Sequence, residues 1–153
     1  MTEETYQKAA SAAAAMLARR PLTEYQLRQK LAEKEFLEEA VDYAVARMQV
    51  LAALDDEAYA ELYLRIGTRK GWGAMRIRQE LRRRGVPPEI AGQVLEQFEP
   101  DWDKMTALLD KRLGGDCSDR REVEKAKAML ARRGFSFDQI REAVRNYMEM
   151  CGE

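Results

Sequence analysis

Aligned against itself, the chain repeats. Leu27, Leu31 and Phe36 match Ile77, Leu81 and Val86 at an offset of 50 residues, and those match Ala126, Leu130 and Phe135 at a further 49. The triads Val41/Val45/Met48, Ala91/Leu95/Phe98 and Ile140/Val144/Tyr147 fall into the same register. Each triad has the i, i+4, i+7 spacing that puts three side chains on one helical face. A period of this length marks an array of supersecondary units, each burying its apolar face against its neighbour. The predicted organisation is three repeats, over residues 1–52, 53–99 and 100–153.

Each repeat reads as three helices: one helix, a break, a second helix closing near Lys34-Glu35, Arg84-Gly85 or Arg133-Gly134, then a third after a short turn. Thr23-Glu24-Tyr25-Gln26 and Ser136-Phe137-Asp138-Gln139 fit the capping box, in which a hydroxyl accepts from free backbone N–H groups and the Gln reaches back. Asp55 or Asp56 is suited to cap the first helix of the second repeat. Gly85 and Gly134 suit the left-handed residue just past a helix end, and Glu35 stands at the matching place in the first repeat. Pro87-Pro88 opens a third helix, where missing N–H groups matter least, and Leu113-Gly114-Gly115-Asp116 reads as the loosest connection. With only 4 prolines and 9 glycines the chain is too poor in turn formers for a loop-rich β protein. The fold class is therefore all-α: three tandem three-helix repeats of about fifty residues, stacked as an elongated monomer.

Composition narrows the chemistry. There is no histidine, which removes Ser-His-Asp and Cys-His nucleophile systems, imidazole-ligated metals and the usual pH switch. Cys117 and Cys151 are too few for a disulfide framework or a metal cage, so a reducing cytoplasm is the expected setting. Gly71 and Gly73 complete neither a GxGxxG pattern nor a phosphate-binding loop and read as a turn. The carboxylates sit at helix starts or on polar faces, where a catalytic pair cannot be told from solubilising charge. No catalytic residue, metal or cofactor is assigned. The opening Met1-Thr2-Glu3-Glu4 has the wrong charge for a signal peptide, and no apolar run approaches the ~18 residues of a membrane span.

The net charge of −1 hides one concentrated basic segment. Between residues 65 and 84 stand Arg65, Arg69, Lys70, Arg76, Arg78, Arg82, Arg83 and Arg84 against the single acid Glu80, while the sequence on either side is net acidic. An acidic body with one basic face points to a directed electrostatic contact, and the preference for arginine suits two-pronged contacts to carboxylate or phosphate. On a helix from about Ala74 to Arg84, Ala74, Ile77 and Leu81 face the core. Arg76, Gln79 and Arg83 fall on the far side, with Arg78 and Arg82 flanking. The competing reading is a solvated face laced by Arg76–Glu80–Arg84 pairs. Trp72, beside Arg69-Lys70, is either an interface anchor or a wedge between helices. Tyr59 and Tyr63 read as core, and Arg132-Arg133 as complements to a helix dipole.

The block from Leu54-Asp55-Asp56 to Tyr63-Leu64, then Arg69-Lys70-Gly71-Trp72-Gly73 and Arg76 to Val86, resembles the central signature of the RecX family, bacterial regulators of the RecA recombinase. Arg20-Pro21-Leu22-Thr23 with Leu27, Lys30 and Leu31, and Leu130-Ala131-Arg132-Arg133-Gly134-Phe135-Ser136, extend the resemblance over almost the whole chain. The resemblance implies tandem three-helix repeats in an elongated, curved module without catalytic activity. It also implies a protein that binds the RecA filament within its helical groove and modulates strand exchange and the linked ATP hydrolysis, with inhibition the expected direction. The partner-binding candidates are Arg65, Arg69, Lys70, Trp72, Arg76, Arg78, Arg82 and Arg83, toward the filament or its DNA. Family members often carry Gly-Tyr or Gly-Leu where this chain has Ala52-Ala53, a change expected only to extend a helix into a turn. They commonly carry Arg where it has Gly67, which is expected to leave the basic surface one cation short.

A rival class is a DNA-binding protein, since three-helix units with a basic helix resemble tandem Myb or helix-turn-helix modules. The tryptophans, at 72 and 102, do not recur at matching places, and the first and third repeats are not basic. An inert helical scaffold leaves the basic segment without a role.

The linear stacking of repeats makes a prediction about size. Small-angle scattering should give a radius of gyration clearly above the ~15 Å of a compact domain of this length, and a value near that figure overturns the linear arrangement.

Overall fold

The structure, a computed structural model, describes residues 2–152. Among these residues there are nine helices and no strand: α1 (Glu3–Arg19), α2 (Glu24–Glu33), α3 (Glu38–Val50), α4 (Asp56–Arg69), α5 (Ala74–Arg83), α6 (Pro88–Leu95), α7 (Trp102–Leu113), α8 (Arg120–Arg132) and α9 (Phe137–Cys151). They follow the expected three-by-three order. Both capping boxes form: Thr23 and Ser136 accept from the Gln26 and Gln139 N–H groups at 3.1 and 3.2 Å, and each Gln returns to the N–H of its cap residue. Of the two candidates at the start of α4, Asp55 is the cap, accepting from Glu57 and Ala58 N–H at 3.0 and 3.1 Å.

The repeat triads are the core. Leu27, Leu31, Ile77, Leu81, Ala126 and Leu130 are wholly buried, as are nearly all of Val41, Val45, Met48, Ile140, Val144 and Tyr147. Each large aliphatic side chain so removed from water is worth about 1.5–3 kcal/mol.

The chain divides into two compact units. The first comprises residues up to 62 together with 81–92, the second 63–80 together with 93 onward. In the first unit the core is built from Ala9 and Ala13 of α1, Leu27 and Leu31 of α2, and Val41, Val45 and Met48 of α3. The wholly buried Thr23 donates its hydroxyl proton to the Arg84 carbonyl at 2.5 Å, and Asp56 accepts from the Glu24 N–H at 2.9 Å. Gly85 adopts φ +90°, and a Cβ there would fall 2.3 Å from Tyr25 Cβ. Glycine is required both for its conformation and for its lack of a side chain.

In the second unit the core comes from Met105 and Leu109 of α7, Val123, Ala126 and Leu130 of α8, and Ile140, Val144 and Tyr147 of α9. Gly73 N–H donates to the Arg133 carbonyl at 2.7 Å, and Met75 N–H to the Gly134 carbonyl at 3.2 Å. Under the repeat offsets, Gly73 corresponds to Thr23 and Arg133 to Arg84, so both units carry one and the same kind of junction. A helix-terminal carbonyl is captured at the start of the preceding repeat's middle helix. The Gly114-Gly115 connection, the loosest by sequence, is held: Gly115 N–H donates to the Tyr147 hydroxyl at 2.9 Å, which in turn donates to Asp110 at 2.8 Å.

One expectation is corrected. Ala52 does not extend α3, which ends at Val50, but itself takes the left-handed conformation at φ +58°, as Glu35 does at +68°. Both fill places where glycine is the easier choice.

The junction separates two glycines. Gly73 lacks a left-handed φ, yet an added Cβ would lie 2.3–2.4 Å from the carbonyl of Gly134 and the N of Phe135, backbone atoms that cannot swing aside. Gly73→Ala should lower unfolding free energy by about 2–3 kcal/mol. Gly92, within α6, faces open space, and Gly92→Ala should add about 0.5–1 kcal/mol through helix propensity. Urea midpoints check both, and equal small shifts would show that the junction yields.

Candidate functional site

The basic segment is organised around the turn between α4 and α5 in the second unit. Helix α4 stops there because Gly71 takes φ +82°, and the last turn closes with Gly71 N–H on the Thr68 carbonyl and Trp72 N–H on the Gly67 carbonyl, both at 3.0 Å. From outside the turn, Arg133 fixes it twice: its carbonyl accepts from Gly73, and its guanidinium donates to the Lys70 carbonyl at 3.2 Å. The turn is thereby a rigid platform.

On that platform lies the indole of Trp72, half-buried. Tyr63, two helical turns before Gly71, sets its ring 6.0 Å from the indole at an interplanar angle of 46°. The Arg76 guanidinium carbon stands 4.3 Å from the indole centroid and Lys70 Nζ 5.2 Å. Both distances fall within the ~6 Å range at which a cation is attracted to a ring face. Trp72 is neither a bare anchor nor a wholly enclosed wedge. It is an aromatic plate that orients two cations.

Arg76 therefore does not project away from the core on α5, as its helical position suggests, but lies half-buried over the indole. Helical periodicity places a Cβ, whereas a long side chain goes where the neighbouring surface attracts it. Arg84, in the first unit, donates from its guanidinium to the Tyr59 hydroxyl at 2.9 Å.

Arg65 and Arg69, one turn apart on α4, and Arg78 on α5 are exposed. Among the described residues they make no hydrogen bond or ion pair, in contrast to Arg28 of the first unit, which holds Glu24 at 3.0 Å and Asp42 at 2.6 Å. In the second unit the structure thus brings together Lys70, Trp72 and Arg76 around one ring and leaves Arg65, Arg69 and Arg78 open to solvent. Arg82 and Arg83 belong to the first unit, where both are exposed.

Three residues change meaning. Gly67 is buried, and a Cβ there would lie 2.9 Å from Ile77 Cγ1 and 3.2 Å from Trp72 Cε3. It does not leave a gap in an exposed basic surface: it lets the indole and Ile77 close over α4. Arg133, read by sequence as a helix-dipole complement, is the brace of the platform. Its alignment with Arg84 across the repeat was the available signal. Tyr63, read as core, is only half-buried and forms a wall of the aromatic plate. Among the described residues no group of His, Cys, Asp and Glu is arranged to hold a metal ion, and no helix is long and apolar enough to cross a membrane.

Comparison with known proteins gives consistent matches along the chain. Residues 9–48 match the model of the RecX first three-helix domain, 55–95 the second and 99–144 the third. The chain is 39% identical over 135 residues to the regulatory protein RecX of Halorhodospira halophila, covering 87% of this chain and 84% of that one. It is 36% identical over 138 residues to the RecX of Trichlorobacter lovleyi, covering 86% and 90%. Among solved structures, RecX from Lactobacillus salivarius superposes with a TM-score of 0.88 over 95% of this chain and 98% of that one, at 23% identity. A second regulatory protein RecX gives 0.80 at 27% identity, over 93% and 73%. The Halorhodospira and Trichlorobacter relatives and the second solved structure are each named a regulatory protein.

The stacked cation can be tested by its optical neighbour. In a Trp102→Phe background, Arg76→Gln should shift the Trp72 emission and cost about 0.5–1 kcal/mol of stability, the worth of an exposed to half-exposed cation on a ring. Arg69→Gln should change neither, and identical spectra for the two variants would show the guanidinium to be detached from the indole.

Proposed function

Since this chain belongs to the RecX family, we propose that it is a non-enzymatic regulator that binds the RecA nucleoprotein filament and restrains its recombinase and ATPase activities in DNA recombination and repair. The observation that carries the reading is the set of unpaired arginines beside the Trp72 platform. Arg65, Arg69 and Arg78 are exposed without carboxylate partners, whereas Lys8, Arg28, Lys125, Lys127 and Arg141 each meet a carboxylate within a helical turn. Unpaired, weakly hydrated guanidinium groups on rigid helices are suited to carboxylate or phosphate on a partner, and Arg76 is already oriented by the indole. Arg82 and Arg83, from the first unit, are proposed as further contacts to the same partner.

The absence of histidine and of a phosphate-cradling glycine loop accords with regulation by binding. Any nucleotide turnover seen with this protein is assigned to RecA. The alternative, a DNA-binding protein acting without RecA, would use the same cations on phosphate.

The variant Arg65→Glu/Arg69→Glu/Arg78→Glu decides the matter. Exposed substitutions move stability by about 0.5 kcal/mol or less each, so the melting curve should be close to wild type. Capture by RecA filaments assembled on single-stranded DNA should weaken at least about tenfold, or about 1.4 kcal/mol. Wild-type capture should also weaken as salt rises, by screening or by counterion release. A folded variant that still restrains strand exchange at the wild-type concentration sinks this site. Equal wild-type affinity for naked DNA and for the filament favours the alternative.

A further inference from the structure

Both cysteines of the chain lie in the second unit, outside the basic platform, and pack against the same apolar core. Tyr147 forms a strut from α9 to the α7–α8 connection, its hydroxyl accepting the Gly115 N–H at 2.9 Å. Cys151 is one helical turn beyond Tyr147 on the same face of α9, and Cys117 is two residues beyond Gly115. Asp116 accepts from the N–H and hydroxyl of Ser118 at 2.9 and 2.5 Å, a local turn that fixes the backbone carrying Cys117. Both thiols are free, half-buried and packed against the edge of the same apolar core. Burial first, and then the adjacent thiol of Cys151, push the Cys117 thiol above its ordinary range.

We propose that Cys117 and Cys151 form a reversible intramolecular disulfide, a modification site that staples the α7–α8 connection to the last turn of α9. The oxidant is a peroxide. One thiolate attacks a peroxide oxygen, the O–O bond breaks and water leaves, giving a sulfenic acid. The second thiol sulfur then attacks that sulfur, the S–O bond breaks, the S–S bond forms and a second water leaves. Two thiols and one peroxide become one disulfide and two waters, and a dithiol reductant reverses the bond. Cross-linking residues 117 and 151 removes loop entropy from the unfolded chain, so the oxidised protein is the more stable form. Since the Cys117 thiol is held protonated at neutral pH, its oxidation accelerates as pH rises.

The test uses the full chain, dilute, with hydrogen peroxide as the probe. Mass spectrometry should show loss of two hydrogens per chain, and digestion without reductant should yield a peptide pair joining Cys117 to Cys151. Electrophoresis should show monomer, and the melting midpoint should rise by several degrees and fall back with dithiothreitol. Cys117→Ser and Cys151→Ser should show neither the mass loss nor the stabilisation. Peptide mapping needs only the wild-type protein, so the proposal stays decidable if a variant folds poorly. Thiols that remain free, oxygen addition at either cysteine without a linked pair, or linkage only between separate chains each overturn it.

Discussion

The structure depends on how the open end of one helix is satisfied by the open start of another. The last carbonyls and first N–H groups of any helix lack intrahelical partners, and burying them unpaired costs about 1–3 kcal/mol each. Here the repeat solves both ends at once. The Arg84 carbonyl is met by the Thr23 hydroxyl and the Arg133 carbonyl by the Gly73 N–H. Each carbonyl precedes a glycine in the left-handed conformation, which turns the chain so that the carbonyl is presented outward. The approach is close enough that the glycine is also sterically enforced, by Tyr25 at Gly85 and by the backbone of Arg76 at Gly134. A side chain at either position would push the two repeats apart.

That junction explains why the basic platform can be rigid although it is built on a turn. Turns at helix ends ordinarily move more than the helices they join. The Lys70–Gly73 turn is instead clamped by three bonds from Arg133 and Gly134: Gly73 and Met75 N–H on carbonyls, and the Arg133 guanidinium on the Lys70 carbonyl. Trp72 then lies on a floor of Gly67 and against Tyr63, and Arg76 lies on Trp72. In the proposed contact, orientation would be set before the partner arrives, so less side-chain entropy would be lost on binding. The exposed Arg65, Arg69 and Arg78 supply charge and the platform supplies geometry.

What could be read from the sequence was whatever is local. The nine helices, the capping boxes at Thr23 and Ser136, the glycine turns at Gly85 and Gly134 and the buried triads all follow from patterns spanning a few residues, and the repeat shows each pattern two or three times. What escaped was whatever depends on a contact across the fold. Arg76 looked solvent-facing because helical periodicity carries no information about an indole in the preceding turn. Gly67 looked like a missing cation because its closeness to Ile77 and Trp72 is a property of packing. Arg133 looked like an ordinary cation at a helix end, although its alignment with Arg84 already placed it at a junction. The set of basic residues was legible in composition; which of them are held and which are open to solvent was not.

The turn at Lys34-Glu35 shows which of the two demands on the junction glycines is the stronger. It occupies the same place in the first repeat as Arg84-Gly85 and Arg133-Gly134, and Glu35 adopts the same left-handed conformation at φ +68°. Conformation alone costs a side-chain-bearing residue about 1–2 kcal/mol, which a folded domain can absorb. Among the described residues, however, no hydrogen bond from another repeat reaches the Lys34 carbonyl, and Glu35 is exposed. With no helix closing on the turn, a Cβ has room. At Gly85 and Gly134 the same Cβ would fall 2.3–2.4 Å from a neighbouring repeat, a separation that no rotamer relieves. The left-handed φ makes glycine favourable at all three turns, and docking makes it obligatory at two.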